Sequence, residues 1–365
     1  MSASNLTVTL GDVAAAAGVS VSTASRALNG NAKACRISAT TADRVREHAR
    51  RLGFRPNLLA RSLQSRRSGL LGVVVPDVAN PFFAAIAKEV TRGAEEAGRS
   101  VLLADSGECN EREVTLVAEL QARRVEGLVV CPVGVDSTHL EAANAAGTPV
   151  VVVDRGFRDG SLPTVTSDHR GGAERLIEHL LELGHRTIGI VQGRPGTLPN
   201  DDRLRAARDA LAAVGVSIDD VPVAGNGFTE RSGYESAARL LADRPDVTAL
   251  FAFSTPNAFG ALRAAAEAGR SVPNDLALVC FDDVPHGEFL RVPLTAVAQD
   301  VRRLGQTAAE VMAERLETGR PPRRRRYTVP VRFIARASSG GPLPGAEPRS
   351  RRRSSRESLA AGAPR

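Results

Sequence analysis

The spacing of apolar residues changes twice along the chain. Residues 8–29 read VTLGDVAAAAGVSVSTASRALN. The Ala-rich stretch Asp12–Ala17 predicts a short helix, Gly18 breaks it, and Ser20 supplies the N-cap of a second helix running to about Leu28. Val13, Ala14, Val19, Ala24 and Leu28 are spaced to pack the two helices across each other, the layout of a helix-turn-helix. A third helix is predicted from Ser38 to about Leu52, with Val45 and Leu52 on an apolar side and Arg44, Arg46, Arg50 and Arg51 on a basic one. FRPNLLARSLQSRR, at 54–67, then joins a proline break to a short helix-capable run and an arginine-rich linker.

From residue 69 the apolar residues gather into short solid runs. LLGVVVP (70–76), SVLLAD (100–105), GLVVCPV (127–133) and PVVVVD (149–154) read as buried parallel strands. Helical stretches at Phe82–Ala97, at Glu111–Arg123 and up to Ala146 separate them. A second series begins near Gly171: a helix to Leu183, TIGIVQG (187–193), a helix Leu204–Val214, a strand near Pro222, a helix Gly233–Ala242, ALFAF (249–253), a helix Asn257–Ala268 and LALVCFDD (276–283). Strands alternating with helices imply doubly wound parallel sheets. Ligands of such sheets lie beyond the carboxyl ends of the strands.

Length leaves room for two or three domains. Apolar residues make up 42% and charged residues 24%, with aromatics only 4% and no Trp, which weighs against an indole-rich carbohydrate surface. The net charge of +7 is unevenly spread: residues 1–68 carry +8, residues 320–365 carry +11, and the middle carries −12. Polyanion contact is therefore expected at the ends. No run approaches eighteen apolar residues, so no membrane span is expected. The start has no basic stretch followed by an apolar one, so no secretory signal is expected. Four scattered cysteines without a CxxC argue against a zinc site or a disulfide framework and for a cytoplasmic protein with reduced thiols.

The N-terminal motifs carry a resemblance. V-T-L-x-D-V-A-x-x-A-G-V-S, T-x-S-R-x-L-N, G-F-R-P-N and A-R-S-L, in that order, resemble the lactose-repressor (LacI/GalR) family of bacterial transcription regulators, over about residues 7–336. The resemblance implies that the second helix lies in the major groove and that the run after the proline becomes a hinge helix in the minor groove. It places Val21 and Ser22 at the base-reading positions. Val21 offers only apolar contact and Ser22 one undiscriminating hydrogen bond. Arg26 could bind guanine bidentately. Thr9, Ser20, Thr23, Ser25 and Asn29 are phosphate or capping groups. Asn57 and Arg61 flank the hinge, and Leu63 matches the leucine that wedges into the central base step. The connection NGNAKACRIS (29–38) is longer than usual and adds Lys33, Cys35 and Arg36, either for phosphate contact or as an unanchored loop.

The same resemblance implies a two-lobe, periplasmic-binding-protein-like body with a ligand cleft. Asn80, Phe82 and Phe83 could supply a hydrogen bond and an apolar platform, one of the two rings packing the core. Asp105 and Asp154 end strands and either face ligand or cap the next helix. Arg205 aligns with the arginine that clamps a sugar hydroxyl or carboxylate, with Arg203 second to it. Asp282 aligns with the cleft aspartate. Ser254-Thr255 replaces the usual Asn-Asp pair and leaves Ser254 one hydrogen bond to donate, which puts any specific sugar in doubt. The segment 299–310 is read as crossing back between lobes before the last helix, with Gly305, Ala308 and Ala309 suited to close helix packing.

An enzyme would need other signals. There is no phosphate loop, GNGFTE (225–230) lacks the third glycine and the preceding strand of a dinucleotide fingerprint, and HExxH and GxSxG are absent. No cofactor or metal is expected. The expected organisation is a small all-α helix-turn-helix headpiece (7–56), a hinge helix and linker (57–68), an α/β two-lobe effector-binding and dimerisation body (69–336) and a basic disordered tail (337–365). The tail either adds non-specific DNA attraction or is merely tolerated. The expected partners are a pseudo-palindromic operator duplex, a carbohydrate-like effector and a second copy of the chain, with no membrane. The expected location is the cytoplasm, at the nucleoid. No leucine heptad follows the body, so a dimer is expected over a tetramer. The competing expectation is a solute-binding or sensor protein with the same body and no DNA regulation.

Overall fold

The computed structural model describes residues 8–28, 36–54, 68–158 and 160–341. Asn29, Lys33, Cys35, Asn57, Arg61, Leu63 and the tail from 342 onward lie outside these. The chain forms two compact units, divided after Gly69.

The N-terminal unit contains α1 (Leu10–Ala17), α2 (Val21–Leu28) and α3 (Ala39–Arg51). Helix α1 starts two residues before the Ala-rich stretch because Thr9 and Asp12 form a capping box. The Asp12 carboxylate accepts the Thr9 N–H at 2.8 Å and its hydroxyl at 2.7 Å, which holds the carboxyl below its ordinary range. Gly18 ends α1 at φ 60°, where a side chain would be strained. The Ser20 Oγ accepts the Thr23 N–H at 3.2 Å and so starts α2. Val13, Ala24, Ala27 and Val45 are fully buried between the three helices, with Val19 and Leu28 packed against them.

In the C-terminal unit, β1 (Leu70–Val75), α4 (Pro81–Glu96), β2 (Ser100–Asp105), α5 (Asn110–Ala122), β3 (Gly127–Val130), α6 (Thr138–Ala145), β4 (Val150–Val153) and β5 (Thr164–Ser167) build the first lobe. The second follows: α7 (His169–Glu182), β6 (Ile188–Val191), α8 (Leu198–Ala212), β7 (Val223–Ala224), α9 (Glu230–Asp243), β8 (Ala249–Ala252), α10 (Thr255–Glu267), β9 (Ala277–Phe281) and β10 (Thr295–Gln299). The chain then returns: α11 (Val301–Thr318) and β11 (Arg326–Val329) join the first lobe, and β12 (Val331–Ile334) the second. The sheet orders are β11-β5-β4-β3-β1-β2 and β12-β10-β9-β8-β6-β7. The first is wholly parallel, and the second is parallel except where β12 pairs with β10.

Three passages of the chain thus connect the lobes, after Ser167, after Gln299 and at Pro330. The segment 299–310 does not precede the last helix; from Val301 it is that helix. Its small residues let it lie directly on α4. A Cβ on Gly305 would stand 2.8 Å from the Ile86 carbonyl, and one on Gly93 of α4 would stand 2.5 Å from the Ala309 Cβ.

The body does not end at residue 336. Ala337–Ser339 forms a 3-10 turn in which Ser338 and Ser339 are buried. Ser338 Oγ accepts the Thr295 N–H at 2.8 Å and donates to the Leu278 carbonyl at 2.5 Å. Serine and glycine content read as disorder, but here the hydroxyls satisfy backbone groups of β9 and β10.

Candidate functional site

In the N-terminal unit the exposed residues of α2 include Val21, 53% exposed, with Ser22 and Arg26. Burying Ala24 and Ala27 against α1 and α3 leaves these three facing out. The hydroxyls of Ser22 and Thr23 lie 3.0 and 2.8 Å from Ser20 Oγ, so the N-terminal turn of α2 carries a linked hydroxyl cluster. Thr9 and Ser20 are engaged as caps, and Ser25 is partly buried. On α3, Arg46 and Arg50 are tied to Asp43 and Glu47, so part of its basic side is neutralised.

In the C-terminal unit a cavity of about 460 Å³ opens between the lobes, at the carboxyl ends of the strands. Asn80, Phe82, Phe83, Asp154, Ser254 and Asp282 line it. Asn80 also caps α4, its Oδ1 accepting the Phe82 N–H at 3.0 Å. Phe83 is buried in the first lobe's core, leaving Phe82 as the more open ring.

Two expected residues do not belong to the cavity. The Asp105 carboxylate accepts the N–H groups of Val78 and Gly107 at 2.8 and 2.7 Å, which holds the turns after β1 and β2. Arg205 is exposed on the outer side of α8, and Arg203 takes the inner place. Helix α8 begins at Leu198, six residues before the predicted start, with Pro199 in its first turn. With the helix extended through Arg203, that side chain falls on the buried face and Arg205, two residues on, falls away from it. Ser254 is also altered in role. Its hydroxyl donates to Asn257 Oδ1 at 2.8 Å and accepts the Asn257 N–H at 3.3 Å, so it caps α10 and has no proton left for a ligand.

Arg203 is the centre of the site. It is 3% exposed, and burial lowers its pKa. Nη1 donates to the Phe253 carbonyl, Nη2 donates to His169 Nδ1 at 3.2 Å, and the guanidinium lies 3.7 Å from the Phe281 ring centre. Nε has no partner. His169 is buried, and burial with the Arg203 charge pushes its pKa well down. A neutral imidazole accepting at Nδ1 carries its proton on Nε2, which stands 3.0 Å from Thr166 Oγ1 and 4.0 Å from Asp154 Oδ1.

The two carboxylates differ in their ties. Asp154 is 5% exposed, and its Oδ1 is buried without a hydrogen-bond partner. Burial raises its pKa to about 6, against the opposing pull of Arg203 and Arg155. Asp282 accepts from Gln299 Nε2, whose own Oε1 is left unpartnered. Its pKa is also raised, by burial first, while Arg203 pulls it down.

Two bidentate ion pairs flank the cavity. Arg155 binds Glu108 at 2.6 and 2.7 Å, and Arg336 binds Asp283 at 2.6 and 2.9 Å. Arg155 lies 5.3 Å from the Phe83 ring centre of its own lobe and 4.7 Å from that of Phe228 of the other. Gly193 makes room for Phe228: a Cβ there would stand 2.0 Å from the ring. Arg155, Phe228, Gln299 and His169 were not anticipated. Only Arg155, next to the strand-terminal Asp154, had a usable sequence signal. Among the described residues no group of histidine, cysteine, aspartate and glutamate could hold a metal ion, and no helix is long and apolar enough to cross a membrane.

Comparison with known proteins accounts for both regions. Residues 9–57 match the model for bacterial regulatory proteins of the lacI family, and residues 177–339 match that for the periplasmic binding protein-like domain. The chain is 32% identical to the HTH-type transcriptional regulator DegA of Bacillus subtilis (strain 168), over 91% of this chain and 98% of that protein. The lac repressor dimer bound to operator and the anti-inducer ONPF is 29% identical, with a TM-score of 0.77 over 91% of this chain and 99% of that one. The complex of the transcriptional regulator CelR with cellobiose is 30% identical, with a TM-score of 0.67 over 91% and 99%.

Proposed function

Because the chain belongs to the lacI family of bacterial regulatory proteins and is a DNA-binding transcriptional regulator, we propose that α2 reads its operator and that the inter-lobe cavity holds a carbohydrate-like effector. One observation carries the second part: a buried arginine and two strand-terminal carboxylates face one cavity, with unpartnered atoms at Asp154 Oδ1, Gln299 Oε1 and Arg203 Nε. Buried polar atoms without partners are costly. A polyhydroxyl ligand supplies donors to the carboxylates and acceptors to the guanidinium, and its C–H faces suit Phe82 and Phe228. The cellobiose complex of CelR supports that ligand class.

On the DNA side, Arg26 binds guanine, Val21 gives apolar contact and Ser22 a single hydrogen bond. Asn57, Arg61 and Leu63 are assigned to the minor groove from the motif alone. Two copies of the chain read a pseudo-palindromic site, and the protein works on the nucleoid in the cytoplasm. The relatives are regulators, and this role needs no catalytic step. A solute-binding protein would share the body, but the match over residues 9–57 has no place in it. Effector and operator each change the other's affinity by the same factor.

Selection of bound sequences from a random duplex pool, followed by titration with cellobiose and ribose, tests the reading. The expected result is a pseudo-palindrome whose affinity changes with a sugar. A variant lacking residues 1–67 should lose the duplex but keep sugar-induced thermal stabilisation. Specific duplex binding by that truncated body would overturn the assignment.

A further inference from the structure

Arg320 and Arg323–Arg326 do not line the cavity. Residues 320–336 carry seven arginines and no acidic residue. Gly319, at φ 65°, ends α11, and Pro321 and Pro322 prevent the helix from resuming. Arg323–Arg326 then lead into β11, the outermost strand of the first sheet, where the Thr164 N–H donates to the Arg325 carbonyl at 2.7 Å. All four of these arginines are exposed.

Several arginines elsewhere on this lobe are neutralised. Arg92 lies between Glu89 and Glu96, Arg99 binds Glu126, and Arg123 binds Glu119. Arg323, Arg324 and Arg325 have no carboxylate within 4.0 Å among the described residues. Consecutive unpaired cations repel one another, and a polyanion relieves that repulsion while shedding its own counterions.

Position gives this charge a direction. The first sheet is wholly parallel, so Leu70, Ser100, Gly127, Val150, Thr164 and Arg326 all stand at the end where its strands begin. The cavity lies at the opposite end. The DNA-binding unit is joined by the chain to the first of these residues, Leu70. Arg124, exposed in the turn before β3, adds another cation to this end. Four strand spacings separate β1 from β11, about 19 Å.

We propose that Arg323, Arg324 and Arg325 form a phosphate-binding ledge for duplex flanking the base pairs that the N-terminal unit reads. The inference rests on the DNA-binding reading and adds a second, sequence-independent contact to it. Operator affinity then depends on the length of the duplex as well as on its core sequence.

The test uses the full-length chain and the Arg323→Gln/Arg324→Gln/Arg325→Gln variant. Each is titrated with the selected operator in a long duplex with random flanks, and with the same operator trimmed to its core, over a range of KCl. On the long duplex the variant should lose affinity on the order of tenfold. Its slope of log affinity against log salt should become shallower by about 0.9 for each phosphate that an arginine no longer neutralises. On the trimmed core the two proteins should match. The corresponding triple lysine variant should retain most of the long-duplex affinity, because it keeps the charge. Equal affinity and slope on the long duplex, an equal loss on the trimmed core, or an equal loss in the lysine variant would each overturn the ledge. Unchanged DNA binding with new self-association would do so too, and would assign the arginines to guarding the edge strand. Failure of the unaltered protein to bind any duplex would instead remove the DNA-binding reading itself.

Discussion

Asp154 and Asp282 hold equivalent places in the two lobes. Each is the first residue after an interior strand, β4 or β9, and each has a positive φ, 66° and 78°. Their N–H groups donate to Val165 and Val297 carbonyls of the neighbouring strands, at 2.8 and 2.9 Å. A positive φ is unusual outside glycine, though aspartate and asparagine tolerate it better than most residues. The repeated turn brings both carboxylates to the cavity that Arg203 shares.

The two carboxylates imply a pH dependence. The folded-state pKa of Asp154 is about 6, raised from 3.8 by burial. Its contribution to stability is fully present below about 3.8 and lost as pH rises through about 6. Asp154→Asn keeps the backbone conformation accessible and never ionises. The ligand-free variant should exceed the parent in stability above pH 6, by at most ~3 kcal/mol for a shift of about two units. The gain should shrink toward pH 4. Urea unfolding at several pH values checks this; a gain that did not shrink at low pH would contradict it.

Arg203 and Arg205 should behave oppositely. Arg203→Lys keeps a charge but loses the planar contact with Phe281 and the bonds to Phe253 and His169. Effector affinity should fall roughly 10- to 100-fold, as expected for removal of a charged hydrogen bond worth about 1.5–3 kcal/mol. Arg205→Ala should leave affinity unchanged. Calorimetric titration with a sugar found by thermal shift distinguishes them, and a larger loss in the Arg205 variant would reverse the assignment.

The contact between α4 and α11 admits no methyl group at Gly305 or Gly93. Gly305→Ala should destabilise the body by about 1–3 kcal/mol through overpacking, against the gain in helix propensity. Thermal unfolding of the full chain measures it. A stability equal to or above the parent's would show that the helices separate without cost.

Among the exposed residues Val21, Ser22 and Arg26 of α2, only Arg26 has a long side chain. Arg26→Ala should cost about 1–3 kcal/mol and relax preference at one base pair in each half-site. Ser22→Ala should cost less and leave the preferred sequence nearly intact. Repeating the selection with each variant tests this: an unaltered preference in the Arg26 variant would move the guanine contact elsewhere.

Legibility followed locality. Gly18, Ser20 and the small residues of the first two helices act within a few positions of one another, so helix breaks, caps and the buried side could be read directly. The solid valine runs of β1, β3 and β4 were equally plain, because strands buried on both faces carry apolar residues throughout. The short strands Thr164–Ser167 and Thr295–Gln299 carry no such run: Thr166 bonds the Asp154 carbonyl, Thr295 the Arg336 carbonyl and Gln299 the Asp282 carboxylate, each within its own lobe. The resemblance singled out Arg205 over Arg203, but the helix starts at Leu198 and puts Arg203 on its buried face.

By itself the sequence determined the helix-turn-helix unit, the alternating two-lobe body, the family and the basic ends. Each is written in neighbouring residues or in a periodic pattern. Only the tertiary structure decided which polar groups share the cavity. It brought His169, Arg203, Phe228 and Gln299 to Asp154 and Asp282, tied Asp105 into two turns, made Ser254 a cap, and set the arginine run at the end of the sheet joined to the DNA-binding unit. Those outcomes depend on strand order and on the chain crossing between lobes, which bring together side chains more than a hundred residues apart.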